Sequence, residues 1–301
     1  MATYSAENFN TKHYDLARPS YPDQFYQTLI DYHLAKRGNR LELALDIGTG
    51  SGFVALKLIN FFQKVIGTDL SPTMIKSCSE NPISMENRDK ISFHVSKAEK
   101  SPDFVKENSI DMITGAECCH WLDHSAWFKE CHRILKPGGT LSYWFYLDPV
   151  FIGNDFANDL FTRYAYGSSF DYGVLKKGDI ERYMGPYYEQ PGHEFLRTAL
   201  KTVEIPPGLF EDQVVRHYDP KVHGVDPNFT TLFIEKHITL SEWKNYVKSW
   251  SAYHAWMKDH GQSHKDIAEV YVDELKQNLN WNDETVIHIV FPTIYYFARK
   301  I

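Results

Sequence analysis

The sequence is short of cysteine. Its 301 residues contain four, Cys78, Cys118, Cys119 and Cys131, two of them adjacent and none in a CxxC pair. That excludes a disulfide-stapled scaffold and a thiolate zinc site, and it predicts reduced thiols in a cytoplasmic setting. No run of 18 apolar residues occurs, so no membrane-spanning helix is expected. The opening MATYSAENFNTKHYD has no basic stretch followed by an apolar one, so no secretory leader is expected. A large excess of one charge is also missing. With 32 Lys+Arg against 39 Asp+Glu, net −7, no extended basic face for nucleic acid is implied. Aromatic residues, by contrast, are plentiful: 19 Phe, 19 Tyr and 7 Trp. They predict a heavy core or a large enclosed apolar cavity. The length allows one large domain, or one domain with a sizeable insertion.

Strands and helices alternate after residue 40. Residues 41–47, LELALDI, read as a buried strand, Gly48-Thr49-Gly50-Ser51-Gly52 as a tight turn, and 53–62 as a helix. Further strands are predicted at 64–69, 91–95, 109–115 and 140–147. Helices are predicted from Ser71-Pro72 to about residue 80, and over 125–135 up to a stop at Lys136-Pro137-Gly138-Gly139. This alternation predicts an α/β fold with a doubly wound sheet. Ahead of it, an extended Arg18-Pro19-Ser20-Tyr21-Pro22 leads into a helix over 23–37. After Pro149 the pattern weakens. Residues 150–208 read as helices and loops, 210–218 as a strand and 264–279 as a helix. Residues 241–257 read as one helix with Trp243, Tyr246, Val247, Trp250, His254 and Met257 on a shared face. Residues 285–298 read as a closing strand interrupted at Pro292.

The sharpest motif is LDIGTGSG, residues 45–52. Glycines at 48, 50 and 52 let a ligand approach the backbone, and the following helix offers its free N–H groups. Dinucleotide enzymes place a third glycine three residues after the second, where this chain has Phe53. A hydride-transferring oxidoreductase is therefore the weaker reading of the turn. The G-x-G-x-G spacing, with Asp46 ahead of it, suits an amino-acid tail better than a pyrophosphate. Asp69 closes the second strand, nineteen residues past Gly50, where an acid can accept both ribose hydroxyls of a nucleoside.

These pieces, together with Arg133-Ile134-Leu135-Lys136-Pro137-Gly138-Gly139 before the fifth strand, resemble the class I S-adenosylmethionine-dependent methyltransferases. The resemblance extends through Tyr14…Arg18-Pro19-x-Tyr21-Pro22, Ala116-Glu117-x-x-His120-Trp121 and Trp250-Ser251-x-Tyr253-His254. Over nearly the whole chain it is similar to the fungal trans-aconitate methyltransferase group, with its cantharidin methyltransferase branch. The resemblance implies a mostly parallel seven-stranded Rossmann-like sheet with a helical lid or insertion. It implies S-adenosyl-L-methionine as cofactor and S-adenosyl-L-homocysteine as product. Gly48, Gly50 and Gly52 with neighbouring N–H groups would hold the methionine moiety, Asp46 facing it. Asp69 would take the ribose, Ala98 and Glu99 would edge the adenine, and Glu117 would lie near the methionine end. Many family members carry an aspartate before the Ala-Glu pair; here it is Lys97. The implied organisation is a cap segment (1–37), a cofactor-binding core (38–149), a substrate-recognition insertion (150–208), and the rest of the core sheet with lid helices (209–301).

A carboxylate acceptor is ionised at neutral pH, with a reference pKa of about 4, and needs no general base; a phenol or amine would. His120 is accordingly a candidate for positioning or for a base. A polycarboxylate needs a cation, and Arg18, with a guanidinium fork suited to carboxylates, is the best placed. Tyr14, Trp144, Trp250, Tyr253 and His254 are the other candidates for the acceptor pocket, with Tyr146 an alternative to Trp144. The expected acceptor is a small carboxylic acid, and neither nucleic acid nor membrane insertion is expected. His120 and His124 are spaced i, i+4, but no third ligand is suggested and the HExxH pattern is absent, so no metal site is expected.

Overall fold

The computed structural model describes residues 18–36, 38–167 and 182–301. Ten strands lie among them: β1 Leu43–Ile47, β2 Lys64–Asp69, β3 Ile91–Val95, β4 Ile110–Ala116, β5 Leu135–Tyr146, β6 Val150–Phe151, β7 Phe210–Tyr218, β8 Ile234–Thr239, β9 Val286–Phe291 and β10 Thr293–Lys300. Seven pair in the order β3-β2-β1-β4-β5-β10-β7. β1 to β5 run parallel, and β10 inserts antiparallel between β5 and β7. β1 and β4 are buried almost throughout because both faces are covered. One face packs against the helix Asp23–Leu34 through Phe25 and Leu29, the other against the helix His124–Ile134 through Trp127 and Phe128. This is the doubly wound, mostly parallel seven-stranded sheet of the class I methyltransferase fold.

The elements through residue 116 form much as their sequence predicts. The Ser71 hydroxyl caps its helix by accepting from the Met74 amide, with Pro72 at the first helical position. Later segments depart from expectation. The helix His124–Ile134 does not end in a Pro-Gly-Gly loop: Leu135 is already extended, and Lys136–Gly139 lie inside β5 at a register irregularity opposite β4.

Residues 241–257 form two helices, Leu240–Lys248 and Ser251–His260. The first starts at a capping box between Thr239 and Glu242. It ends where the Ser249 hydroxyl bonds back to the Tyr246 carbonyl and Trp250 turns extended (ψ 142°). The break separates the expected common face: Trp243, Tyr246 and Val247 are buried, whereas His254 is exposed.

The closing strand is likewise two strands in two sheets. Pro292 has no N–H to extend a ladder, and its carbonyl accepts from the Leu147 amide at 2.8 Å. Before it, β9 joins β6 and β8 in a three-stranded antiparallel sheet; after it, β10 enters the main sheet. Thus β7 and β10 complete the core sheet, while β8 and β9 belong to a second sheet that the sequence pattern does not reveal. Among the described residues no helix is long and apolar enough to cross a membrane.

Candidate functional site

A cavity of about 510 Å³ opens beyond the C-terminal ends of β1 to β4, where parallel sheets hold ligands. Its floor is the turn after β1. Gly48 lies at φ +56°, and a Cβ there would sit 2.5 Å from the Cβ of Cys118, so only glycine lets the turn pass. The turn is braced from below by Asp46, almost wholly buried. Its carboxylate accepts from the hydroxyls of Thr49 at 2.6 Å and Thr114 at 2.7 Å. Burial pushes Asp46 up to about 7, with the two hydroxyls working against it. Asp69 accepts from the Gly50 amide at 3.0 Å and the Ser71 amide at 2.8 Å, which ties the turn to the end of β2. With the Leu70 amide as a third donor, the carboxylate keeps acceptor capacity for one more. Burial raises this carboxyl too, and its backbone N–H partners oppose the rise. Ala98 and Glu99 line the far end, and Glu99 accepts from the Asp123 amide at 3.0 Å.

Glu117 follows β4 at φ +54°, in the left-handed region uncommon for a side chain. Its amide bonds the Trp144 carbonyl and its carboxylate accepts from the Tyr146 amide at 2.5 Å. Burial pushes it up to about 8, with Arg18 opposing.

A second, smaller cavity of about 110 Å³ adjoins the first, and Arg18, Glu117, Trp121 and Tyr146 line both. Arg18 donates from Nη1 to the Tyr146 hydroxyl at 3.2 Å, and its guanidinium lies 5.8 Å from the centre of the Tyr246 ring. The rest of the wall comes from distant segments and includes His120, Tyr166, His193, Arg197, Tyr246 and Trp250. The helix Gly192–Arg197 reaches it because a Cβ on Gly192 would meet the Trp121 ring at 2.2 Å; only hydrogen fits. Burial drives both His120 and His193 down to about 3, so both are neutral at pH 7. Among the described residues Nδ1 of His120 has no hydrogen-bond partner. Tyr166 donates to the buried Asp148, whose carboxyl is raised by burial.

Known proteins are similar to this chain. A family model described as a methyltransferase domain matches residues 45–143. The probable S-adenosylmethionine-dependent methyltransferase CRG1 of Saccharomyces cerevisiae is 33% identical, over 99% of this chain and 98% of its own. The chain is an S-adenosylmethionine-dependent methyltransferase. Methyltransferase cfoB of Aspergillus candidus is 32% identical over 72% of this chain and 65% of its own. A candidate type II methyltransferase from Anaeromyxobacter dehalogenans, of solved structure, superposes with a TM-score of 0.65 at 19% identity. It covers 94% of this chain and 97% of its own, and shows a shared fold.

In this methyltransferase, Asp46, Gly48, Gly50, Asp69, Ala98, Glu99 and Glu117 all line the larger cavity; Gly52 sits behind it as the left-handed N-cap of the next helix. Arg18 lines both cavities, and His120 and Trp250 the smaller one. Trp144, Tyr253 and His254 line neither. Trp144 is fully buried against Phe25 and Tyr21. Tyr253 bonds Asp266 at 2.9 Å on the other side of its helix, and His254 is exposed. Tyr14 lies outside the described residues. Sequence reasoning missed His193, Tyr166 and Tyr246. Tyr146 outranks Trp144 for a simple reason: the two share a face of β5, but Tyr146 is at the strand's C-terminal end, where the cavity opens.

Proposed function

We propose that this methyltransferase forms methyl esters of a small carboxylic acid, trans-aconitate-like or cantharidic-acid-like, seated in the smaller cavity. The observation that carries the reading is Arg18, which belongs to the walls of both cavities. A guanidinium there offers a planar fork to a carboxylate at the junction. The volume favours a small acceptor, since drug-sized ligands occupy sites of about 300–1,000 Å³.

The larger cavity fits S-adenosylmethionine by its chemistry. The buried Asp46 and the half-buried Glu117 are carboxyls raised by desolvation, an environment a cationic ligand relieves. The Gly48 and Ser51 ends of the turn would hold the methionine moiety by backbone N–H groups, Asp69 the ribose, and Ala98 with Glu99 the adenine. When bound, the cofactor supplies an electrophilic methyl group on a sulfonium. The chain's own residues align and dehydrate the nucleophile. Arg18 and the Tyr146 hydroxyl orient the acceptor carboxylate, while Tyr246 and Trp250 exclude water. His120, neutral at pH 7, positions by hydrogen bonding; with its pKa near 3 it is a poor proton acceptor, and an ionised carboxylate needs none.

The test is transfer of labelled methyl from S-adenosylmethionine to trans-aconitate, with organic extraction of the ester. Organic-soluble label is expected. Transfer only to nitrogen or carbon acceptors across a broad panel overturns the reading.

A further inference from the structure

Outside both cavities, the three-stranded sheet brings two imidazoles and a carboxylate together. His237 on β8 stands directly opposite His288 on β9, and Glu235 lies two residues before His237 on the same face of β8. One ligand atom from each falls within 4.8 Å of the other two. The Nε2 of His288 is 2.8 Å from a Glu235 carboxylate oxygen. The two imidazole rings lie 4.1 Å apart and nearly parallel, 14° between planes.

We propose that Glu235, His237 and His288 bind a divalent transition metal of the zinc type. The donor set is two neutral-capable nitrogens and one carboxylate, which suits zinc, copper or nickel rather than the all-oxygen preference of calcium and magnesium. Around a tetrahedral zinc, with bonds of about 2.0–2.1 Å, ligand atoms sit about 3.3 Å apart. That spacing lies between the 2.8 Å contact and the 4.8 Å limit observed. The adjustment is confined to side-chain rotation, because six consecutive residue pairs fix β8 against β9. Glu235 and His237 are exposed and His288 half-buried, so an ion reaches the site from solvent and keeps a water as fourth ligand.

None of the three residues lines either cavity, so the metal is structural and independent of the acceptor. It pins β8, which runs directly into the helix Leu240–Lys248 carrying Tyr246. Helical spacing rules do not find such a site, because its ligands are joined across a ladder and lie some fifty residues apart in the chain.

Calorimetric titration of the chelator-treated full chain with zinc chloride tests this. One equivalent should bind, and zinc should raise the melting temperature by several degrees. His237→Ala and His288→Ala should each weaken binding tenfold or more. His94→Ala, a histidine elsewhere on the chain, should leave it unchanged. Circular dichroism and S-adenosylhomocysteine binding in chelator check that each variant is folded. Absence of saturable zinc binding overturns the proposal, as does undiminished binding in the folded His237→Ala/His288→Ala variant.

Discussion

The two adjoining cavities are built by different means. The larger is assembled from turns at the ends of neighbouring parallel strands, its glycine turn held by two acids: the buried Asp46 under Gly48–Ser51 and the half-buried Asp69 across it. The smaller is walled by side chains, aromatic and imidazole, from segments scattered between Arg18 and Trp250. On the proposed reading the first holds the cofactor and the second the acceptor, and the two join at Arg18, Glu117, Trp121 and Tyr146.

Substitutions can break that separation or sharpen it. The largest effect is expected at Gly48→Ala. Forcing a Cβ into the left-handed region costs about 1–3 kcal/mol, and the collision with Cys118 adds to it. Affinity for S-adenosylhomocysteine should fall about a hundredfold, by calorimetry, with a lowered melting temperature. An unaffected affinity would mean the turn does not build the larger cavity.

Glu117→Gln addresses the junction through pH. Because the folded carboxyl titrates near 8, above its ordinary 4.5, the native state holds a proton that the unfolded state releases. Wild-type stability from this group is therefore complete below about pH 4.5 and lost as pH rises toward 8, by on the order of a few kcal/mol. The amide variant should lack that loss, so its stability advantage grows from pH 5 to pH 8 in denaturant titrations. Parallel profiles would refute a desolvated, proton-holding Glu117.

Asp69→Ala and Arg18→Ala form a crossed pair. The first should weaken cofactor binding by about 1–3 kcal/mol and leave the acceptor KM nearly unchanged. The second should raise the KM for a carboxylate acceptor about tenfold, with cofactor affinity nearly intact. If both variants moved both constants equally, the two halves would not be separable. The smallest effect belongs to His254→Ala: exposed and outside both cavities, it should change kcat/KM less than about twofold, as surface substitutions change stability little.

The same contrast explains what could be read in advance. The larger cavity was legible because its signals are contiguous: strand, glycine turn, helix, then an acid at the next strand end. The smaller was not, because its members come from segments far apart in the chain. His193 arrives through a glycine packed on Trp121, and Tyr246 through a helix whose end depends on one serine hydroxyl. The tryptophan–histidine stretch at 250–254 reads as pocket lining, yet among the candidates in it Trp250, at the break, lines the cavity with its neighbour Ser251, while Tyr253 and His254 do not. The second sheet stayed hidden because β8, IEKHIT, is half polar and β9 merges with β10 in any apolar pattern that overlooks what Pro292 forbids.

The position of β10 between β5 and β7 also bears on the order in which the molecule assembles as it leaves the ribosome. The strands β1 to β5 have each other as neighbours as soon as residue 146 has emerged. β7 finds its partner in the main sheet only when residues 293–300 are made. Until then the nascent chain carries β1 to β5 with an unclosed sheet edge at β5. Shielding that edge during synthesis is the task the topology sets for the cell.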